Sequence, residues 1–222
     1  MQAVILAAGN GSRLRPLTDT MPKPLIKIGD KNLIERKLEV LPDEVDEIIL
    51  IVGYLKDKII DYFGRESGGR KINYLEQKEL LGTGHALQIC QDILGERFLV
   101  MNGDDIYDRG DIERCLNHRQ CMLVKKSPEQ FVGGRVVFDS NGKLKEIIEG
   151  SHEEGGMMNT GLYVVAKEFF DYELEKLPGK NEYGLPQTLA KIAVDMPVMT
   201  EEASFWLKVN DLNDLELARS FF

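Results

Sequence analysis

Cysteine is scarce in this 222-residue chain, and long apolar runs are missing altogether. Cys90, Cys115 and Cys121 are an odd number with no Cys-x-x-Cys spacing. That pattern argues against a disulfide framework, and the thiols read as free in a reducing cytoplasm. No stretch reaches the roughly 18 apolar residues of a membrane span, and no basic start leads into an apolar leader. The expectation is a cytoplasmic protein with no membrane partner. Positive charge is also short: 28 Lys and Arg stand against 37 Asp and Glu, a formal net charge of -9. Such a chain does not attract nucleic acid by bulk charge, so any anionic ligand must be held by a local cluster of cations. Histidine is rarer still. His85, His118 and His152 have no metal-ligand spacing; His85 reads as helix surface and the other two as loop.

Apolar residues are plentiful at 43%, enough for the core of one domain of this length. Ala3–Ala8, Glu47–Gly53, Lys71–Gln77 and Arg97–Asp104 are short, nearly continuous apolar runs. They read as strands buried on both faces. Between them Asn32–Leu41, Leu55–Phe63 and Thr83–Leu94 carry apolar residues at helical spacing. Strand and helix alternating at this pitch predict βαβ units and a parallel sheet covered on both sides. After Asp104 the strand-like runs are separated by turns, including Ser140-Asn141-Gly142, which predicts an antiparallel hairpin. Helices are expected over Lys167–Lys176, Gly184–Ala193 and Asp211–Ser220. The fold class is α/β, one domain with a mixed sheet.

The loop after the first strand reads LAAGNGSRLRPLTDTMPKPLIKI, Leu6 to Ile28. It has Gly9 and Gly11 but no third glycine, so it departs from a dinucleotide-binding turn. No Gly-Lys-Ser/Thr follows, so it is not a P-loop. It carries Arg13, Arg15 and Lys23 instead. Two glycines let backbone N–H groups approach an anion, Arg13 offers a planar fork for phosphate, and Lys23 between two prolines offers a point charge.

This stretch closely resembles the signature of the sugar-phosphate nucleotidyltransferases, Leu-Ala-Ala-Gly-x-Gly-(Ser/Thr)-Arg-Leu…Pro-Lys-Pro-Leu. The likeness runs along the chain and is closest to the pyrophosphorylase domains of N-acetylglucosamine-1-phosphate uridylyltransferases. It implies a Rossmann-like three-layer α/β/α fold with a mixed, mostly parallel central sheet. Residues 1–110 are then a nucleotide-binding half and 111–222 a sugar-phosphate-binding half, with no C-terminal β-helix domain. Without that trimerising module, homo-oligomer formation is left open. The implied reaction joins an NTP and a sugar 1-phosphate into an NDP-sugar and pyrophosphate.

The resemblance carries roles onto residues. Leu6, Ala8, Gly9, Gly11, Ser12 and Arg13 line the nucleotide, with Arg13 on the leaving pyrophosphate and Lys23 on phosphate at the reacting centre. Gln77, Gly82 and Thr83 read the base, although Thr83 also reads as an ordinary helix cap. The Val100–Asp108 segment resembles the family's Leu-x-Gly-Asp, which makes Asp104 a ligand of Mg²⁺. Near the C-terminus two registers compete. The Trp-x-Asp register falls on Lys208, which cannot bind a cation; the other selects Asn210, with Asp211 in reserve. Gly134, Glu149 and Asn159 match sugar-contacting positions. The Glu-Lys-Pro usual in the hexose-1-phosphate thymidylyltransferases is absent, since Glu149 is followed by Gly150 and Ser151, which argues against that branch. UTP is the favoured nucleotide. CTP or dTTP with hexose, inositol or choline phosphate, a non-catalytic nucleotide-binding homologue and an NAD-dependent enzyme are the alternatives.

Overall fold

Four of the apolar runs form the parallel heart of one ten-stranded sheet. The structure, a computed structural model, describes residues 1–222. Its main strands are β1 Gln2–Ala7, β2 Glu47–Val52, β3 Glu66–Ser67, β4 Arg70–Glu76, β5 Arg97–Asn102, β6 Cys121–Ser127, β7 Phe131–Phe138, β8 Leu144–His152, β9 Gly156–Ala166 and β10 Met199–Glu202. The parallel strands stand in the order β5-β1-β2-β4. From β1 the chain moves outward through β2 to β4 and then returns to add β5 on the other side of β1. That reversal leaves a crevice between the carboxyl ends of β1 and β5, the usual ligand position in such sheets. The glycine loop follows β1 and Asp104 follows β5, so the topology itself brings them together.

Side chains alternate across the sheet. Ala3, Ile5 and Ala7 of β1 join a buried cluster under α1 (Leu33–Val40), α2 (Lys56–Phe63) and α4 (Arg109–Leu116). Val4 and Ala8 join the opposite cluster under α3 (Gly82–Gln88) and α5 (Leu185–Ile192). This is the three-layer α/β/α arrangement expected. The α1 helix starts where Asn32 and Glu35 cap one another's backbone N–H groups. The antiparallel part also matches: β7 and β8 form the hairpin, closed by Asp139 to Lys143 backbone contacts. No helix is long and apolar enough to cross a membrane.

A third, smaller cluster matters most for the site. Leu14 from the glycine loop, Ile106 after β5, Val209, and Leu215 and Ala218 of α6 (Leu212–Ser220) are buried together. Each of the first three sits next to a residue predicted for the site or adjoining it: Arg13, Asp105 and Asn210. A core of aliphatic side chains thus ties three distant segments into register. The chain contacts there are completed by a short ribbon, Asp105–Tyr107 against Trp206–Lys208.

Several expectations need correction. The Lys167–Lys176 segment is a 3₁₀ turn over Lys167–Asp171 followed by extended chain. Phe170, Tyr172 and Leu174 pack on the core at every second position, a strand period rather than a helical one. The α3 helix ends at Gln88 rather than Leu94. Beyond it hydrogen bonds such as Gln91 N to Gln88 O tighten to three-residue spacing. The fifth strand ends at Asn102, and Gly103-Asp104 is a turn. The α4 helix was not anticipated, because its sequence RGDIERCL is mostly polar. His152 belongs to β8 and is buried, with Nε2 3.1 Å from the carbonyls of Gly133 and Ile148.

Candidate active site

Two cavities open along the carboxyl edge of the sheet, of about 370 and 410 Å³. The first is lined by Leu6, Ala8, Gly9, Gly11, Ser12, Arg13, Lys23, Gln77, Gly82, Thr83, Asp104 and Asn210, which is the whole expected nucleotide and metal set. The second takes in Gly134, Glu149 and Asn159, the expected acceptor set. They meet at shared residues, among them Arg13, Asp104 and Asn210. Asn210 lines both cavities, and Glu182 lies in the wall of each.

At the junction Lys23 Nζ donates to Asp104 Oδ2 at 2.6 Å and reaches Asn210 Oδ1 at 3.5 Å. Arg13 donates to the same Asn210 oxygen at 3.1 Å. Lys23 is buried, and Gly11 makes room for it. Gly11 has φ +62, and a Cβ there would lie 2.9 Å from Thr18 and 3.0 Å from Lys23 Cβ. Any other residue would be strained and would push the lysine away. Burial alone would raise the Asp104 carboxyl, but Lys23 beside it and Lys37 behind it hold it below the usual carboxylate range. Asp104 is thus ready as an anionic ligand.

The donor chemistry fits Mg²⁺. One carboxylate and one carboxamide oxygen converge where a cation already sits, and both are hard oxygen donors. Mg²⁺ commonly takes one or two such protein groups and completes its shell with substrate phosphates and water. Between the competing residues near the C-terminus, the geometry favours Asn210. Asp211 is the N-cap of α6, with its carboxylate accepting from Asp214 N at 3.0 Å. Lys208 is in the short ribbon, opposite Asp105.

The Gln77–Thr83 segment is arranged differently from expectation. Thr83 is not a cap: α3 begins after Leu81 with no side-chain cap, and the Thr83 hydroxyl accepts from Leu185 N at 3.0 Å. A Cβ on Gly82 would fall 2.4 Å from Tyr183 O, so this glycine lets the chain pass a neighbouring segment. Gln77 is buried and donates to Gly82 O at 3.0 Å and towards His85 Nδ1 at 3.2 Å. Its two N–H groups are occupied, which leaves its carbonyl oxygen as the free polar atom.

In the acceptor cavity, Gln187 Nε2 donates to Glu149 Oε1 at 3.0 Å. A Cβ on Gly134, directly across the hairpin, would lie 2.9 Å from that oxygen. Gly134 therefore makes space for Glu149 at the cavity wall. Asn159 Oδ1 accepts from Tyr163 Oη at 2.9 Å and Gly161 N at 3.1 Å. The register break between Asn159 and Tyr163 aims this side chain, and its NH₂ remains for a ligand.

Sequence reasoning missed Lys37, Asn102, Tyr163, Gln187 and Glu182. Lys37 is the most telling. It is 1% exposed, and its Nζ donates to the carbonyls of Gly103 at 3.0 Å, Leu33 at 3.4 Å and Asp105. It clamps the turn that presents Asp104 from beneath. Burial lowers its pKa, and burial with the charge of Asp104 raises that of Asp105. The signal was available: Ile34, Lys37, Leu38 and Leu41 share the apolar stripe of α1, where a lysine has to find partners.

A family model for nucleotidyl transferases matches residues 2–221. The chain is 39% identical over 193 residues to the bifunctional protein GlmU of Methanocaldococcus jannaschii, covering 85% of this chain and 46% of that protein. It thus spans about half the length of that relative. It is 31% identical to the UTP–glucose-1-phosphate uridylyltransferase AglF of Haloferax volcanii, over 85% of this chain and 82% of the other. It is 34% identical to the D-glycero-alpha-D-manno-heptose 1-phosphate guanylyltransferase of Campylobacter jejuni, over 79% and 81%. The solved structure of a UDP-glucose pyrophosphorylase bound to UDP-glucose superposes with a TM-score of 0.79 at 19% identity, covering 99% and 97% of the two chains, which speaks to the fold.

Proposed function

The chain belongs to the nucleotidyl transferase family, and from that premise we propose that it transfers a uridylyl group from UTP to a sugar 1-phosphate. The observation that carries this reading is the junction of the two cavities. Lys23, Arg13, Asp104 and Asn210 converge there on shared oxygens. A nucleotide in the first cavity and a phosphate monoester in the second would meet there.

The chemistry needs little else. An oxygen of the acceptor phosphate attacks the α-phosphorus in line. One P–O bond forms, the bond to the β-phosphate breaks, and pyrophosphate leaves with its electron pair. The attacking oxygen is already anionic, so no nucleophilic side chain or strong base is required. Catalysis is positioning and charge stabilisation. Lys23 neutralises charge on the phosphate that stays, and Arg13 with the loop amides takes the group that leaves. Asp104 and Asn210 would hold Mg²⁺, which supplies further positive charge to the phosphates.

Gln77 favours UTP or dTTP over CTP. With its N–H groups committed to Gly82 O and His85 Nδ1, its free oxygen suits a base that presents an N–H, as uracil does at N3. The heptose guanylyltransferase relative puts GTP beside UTP, dTTP and CTP in the test. A panel of these nucleotides with hexose, N-acetylhexosamine, heptose, inositol and choline phosphates, scored by pyrophosphate release, decides it. UTP with a sugar 1-phosphate is the expected best pair. Nucleotide binding with no release for any acceptor would contradict catalysis.

A further inference from the structure

Any acceptor in this reaction brings a phosphate monoester, and none of the hairpin residues that line the cavity beside Glu149, namely Val132, Gly133 and Gly134, is a cation to meet it. Three basic residues line the acceptor cavity from elsewhere: Arg13, Lys180 and Lys208. Arg13 is engaged with Asn210, and Lys180 lies exposed in a turn. Lys208 is different. It is half-buried on the short Trp206–Lys208 strand, paired with the Asp105–Tyr107 strand that follows Asp104. It enters none of the ion pairs of the molecule.

Two places earlier on the same strand is Trp206. Residues i and i+2 of a strand face the same side, and both side chains line the acceptor cavity. The indole Nε1 of Trp206 is buried and finds no hydrogen-bond partner. A buried donor without a partner is rare and calls for an explanation. The same segment continues to Asn210 at the junction, so one stretch of chain reaches from the acceptor cavity to the reacting centre.

We propose that Lys208 and the indole N–H of Trp206 bind the phosphate of the acceptor. The inference rests on the reaction class proposed above. Lys208 supplies the cation that the Glu149-Gly150-Ser151 segment lacks, from the opposite wall. A lysine suits the task, because a compact ammonium can follow a phosphate whose oxygens change bonding during attack. The Trp206 N–H fixes a second oxygen and gains the partner it lacks. Lys208 transfers no proton.

The chain contains one tryptophan, so its fluorescence reports on this wall directly and without turnover. Titrating the full chain with glucose 1-phosphate, N-acetylglucosamine 1-phosphate, inositol 1-phosphate and phosphocholine should give a saturable change with at least one. The matching compound without phosphate should need roughly tenfold more or give no change. In Lys208→Met the dissociation constant for that monoester should rise about tenfold while that for UTP stays within about twofold. Lys208→Arg should recover most of the loss. Loss of UTP binding with unchanged monoester binding would overturn the proposal, because Lys208 would then serve the triphosphate. So would equal affinity for phosphorylated and unphosphorylated compounds, or no response to any of the four monoesters. The transfer reaction itself fails by a separate sign, the absence of pyrophosphate with the same compounds.

Discussion

The cavity after β1 is shaped by backbone, whereas the cavity beneath the β7–β8 hairpin is shaped by side chains. In the first, Gly103 stands where a Cβ would strike Leu6 O at 2.4 Å, and Gly82, which the second cavity shares, where it would strike Tyr183 O at 2.4 Å; Gly11 is hemmed in by the Thr18 and Lys23 side chains. In the second, Gly134 yields to the Glu149 carboxylate, Gln187 holds that carboxylate, and Tyr163 holds Asn159. Backbone crowding admits one residue type, so the nucleotide side is rigidly specified. Side-chain pairs can be exchanged for other pairs, so the acceptor side can vary its substrate on an unchanged frame.

The sharpest way to break this contrast is at the junction. Lys23→Ala and Asp104→Ala should each lower turnover by roughly two orders of magnitude or more, since each removes one charge at the reacting phosphate. Near-normal pyrophosphate release by either would remove the junction from the chemistry. Lys37→Met comes next. It leaves buried carbonyls of the Gly103–Asp105 turn without their donor and should cost about 2–3 kcal/mol of stability by denaturant unfolding. Turnover of the folded fraction should fall as Asp104 loses its support. Unchanged stability would show that the clamp is dispensable.

Effects on the acceptor side should be smaller and confined to one substrate. Gln187→Leu frees the Glu149 carboxylate, so the KM for the acceptor should rise about tenfold while that for the nucleotide holds. A rise in both would mean that the two cavities are not separable. The smallest effect is expected at Asp211. Asp211→Ala removes a helix cap and should cost about 1 kcal/mol of stability with the Mg²⁺ dependence of turnover unchanged. Asn210→Ala should shift that dependence to higher Mg²⁺. The reverse pattern would move the metal ligand to Asp211.

The same contrast explains what could be read before the fold was seen. The glycine loop, Gln77, Gly82 and Asp104 were legible through the motifs that resemble the family's, and the parallel strands were legible because they are continuously apolar. Lys37 was legible in principle, as a charge on an apolar helix face. Gln187 and Tyr163 were not. They act through Glu149 and Asn159, residues far from them in sequence, and nothing in their own neighbourhood marks them. Trp206 and Lys208 sat in plain view, but their role depends on a short ribbon that only the third buried cluster brings to the cavity. The helix expected over Lys167–Lys176 failed for a simpler reason, a period of two mistaken for a helical one.

The central claim is that one junction joins a nucleotide cavity to a phosphate-acceptor cavity. The most direct measurement is pyrophosphate release by the wild-type chain and by Lys23→Ala, with UTP alone and with UTP plus each sugar 1-phosphate in the presence of Mg²⁺. Release that requires both substrates and is lost in the variant is the predicted result. Release from UTP without an acceptor, or equal release by the two proteins, would contradict it.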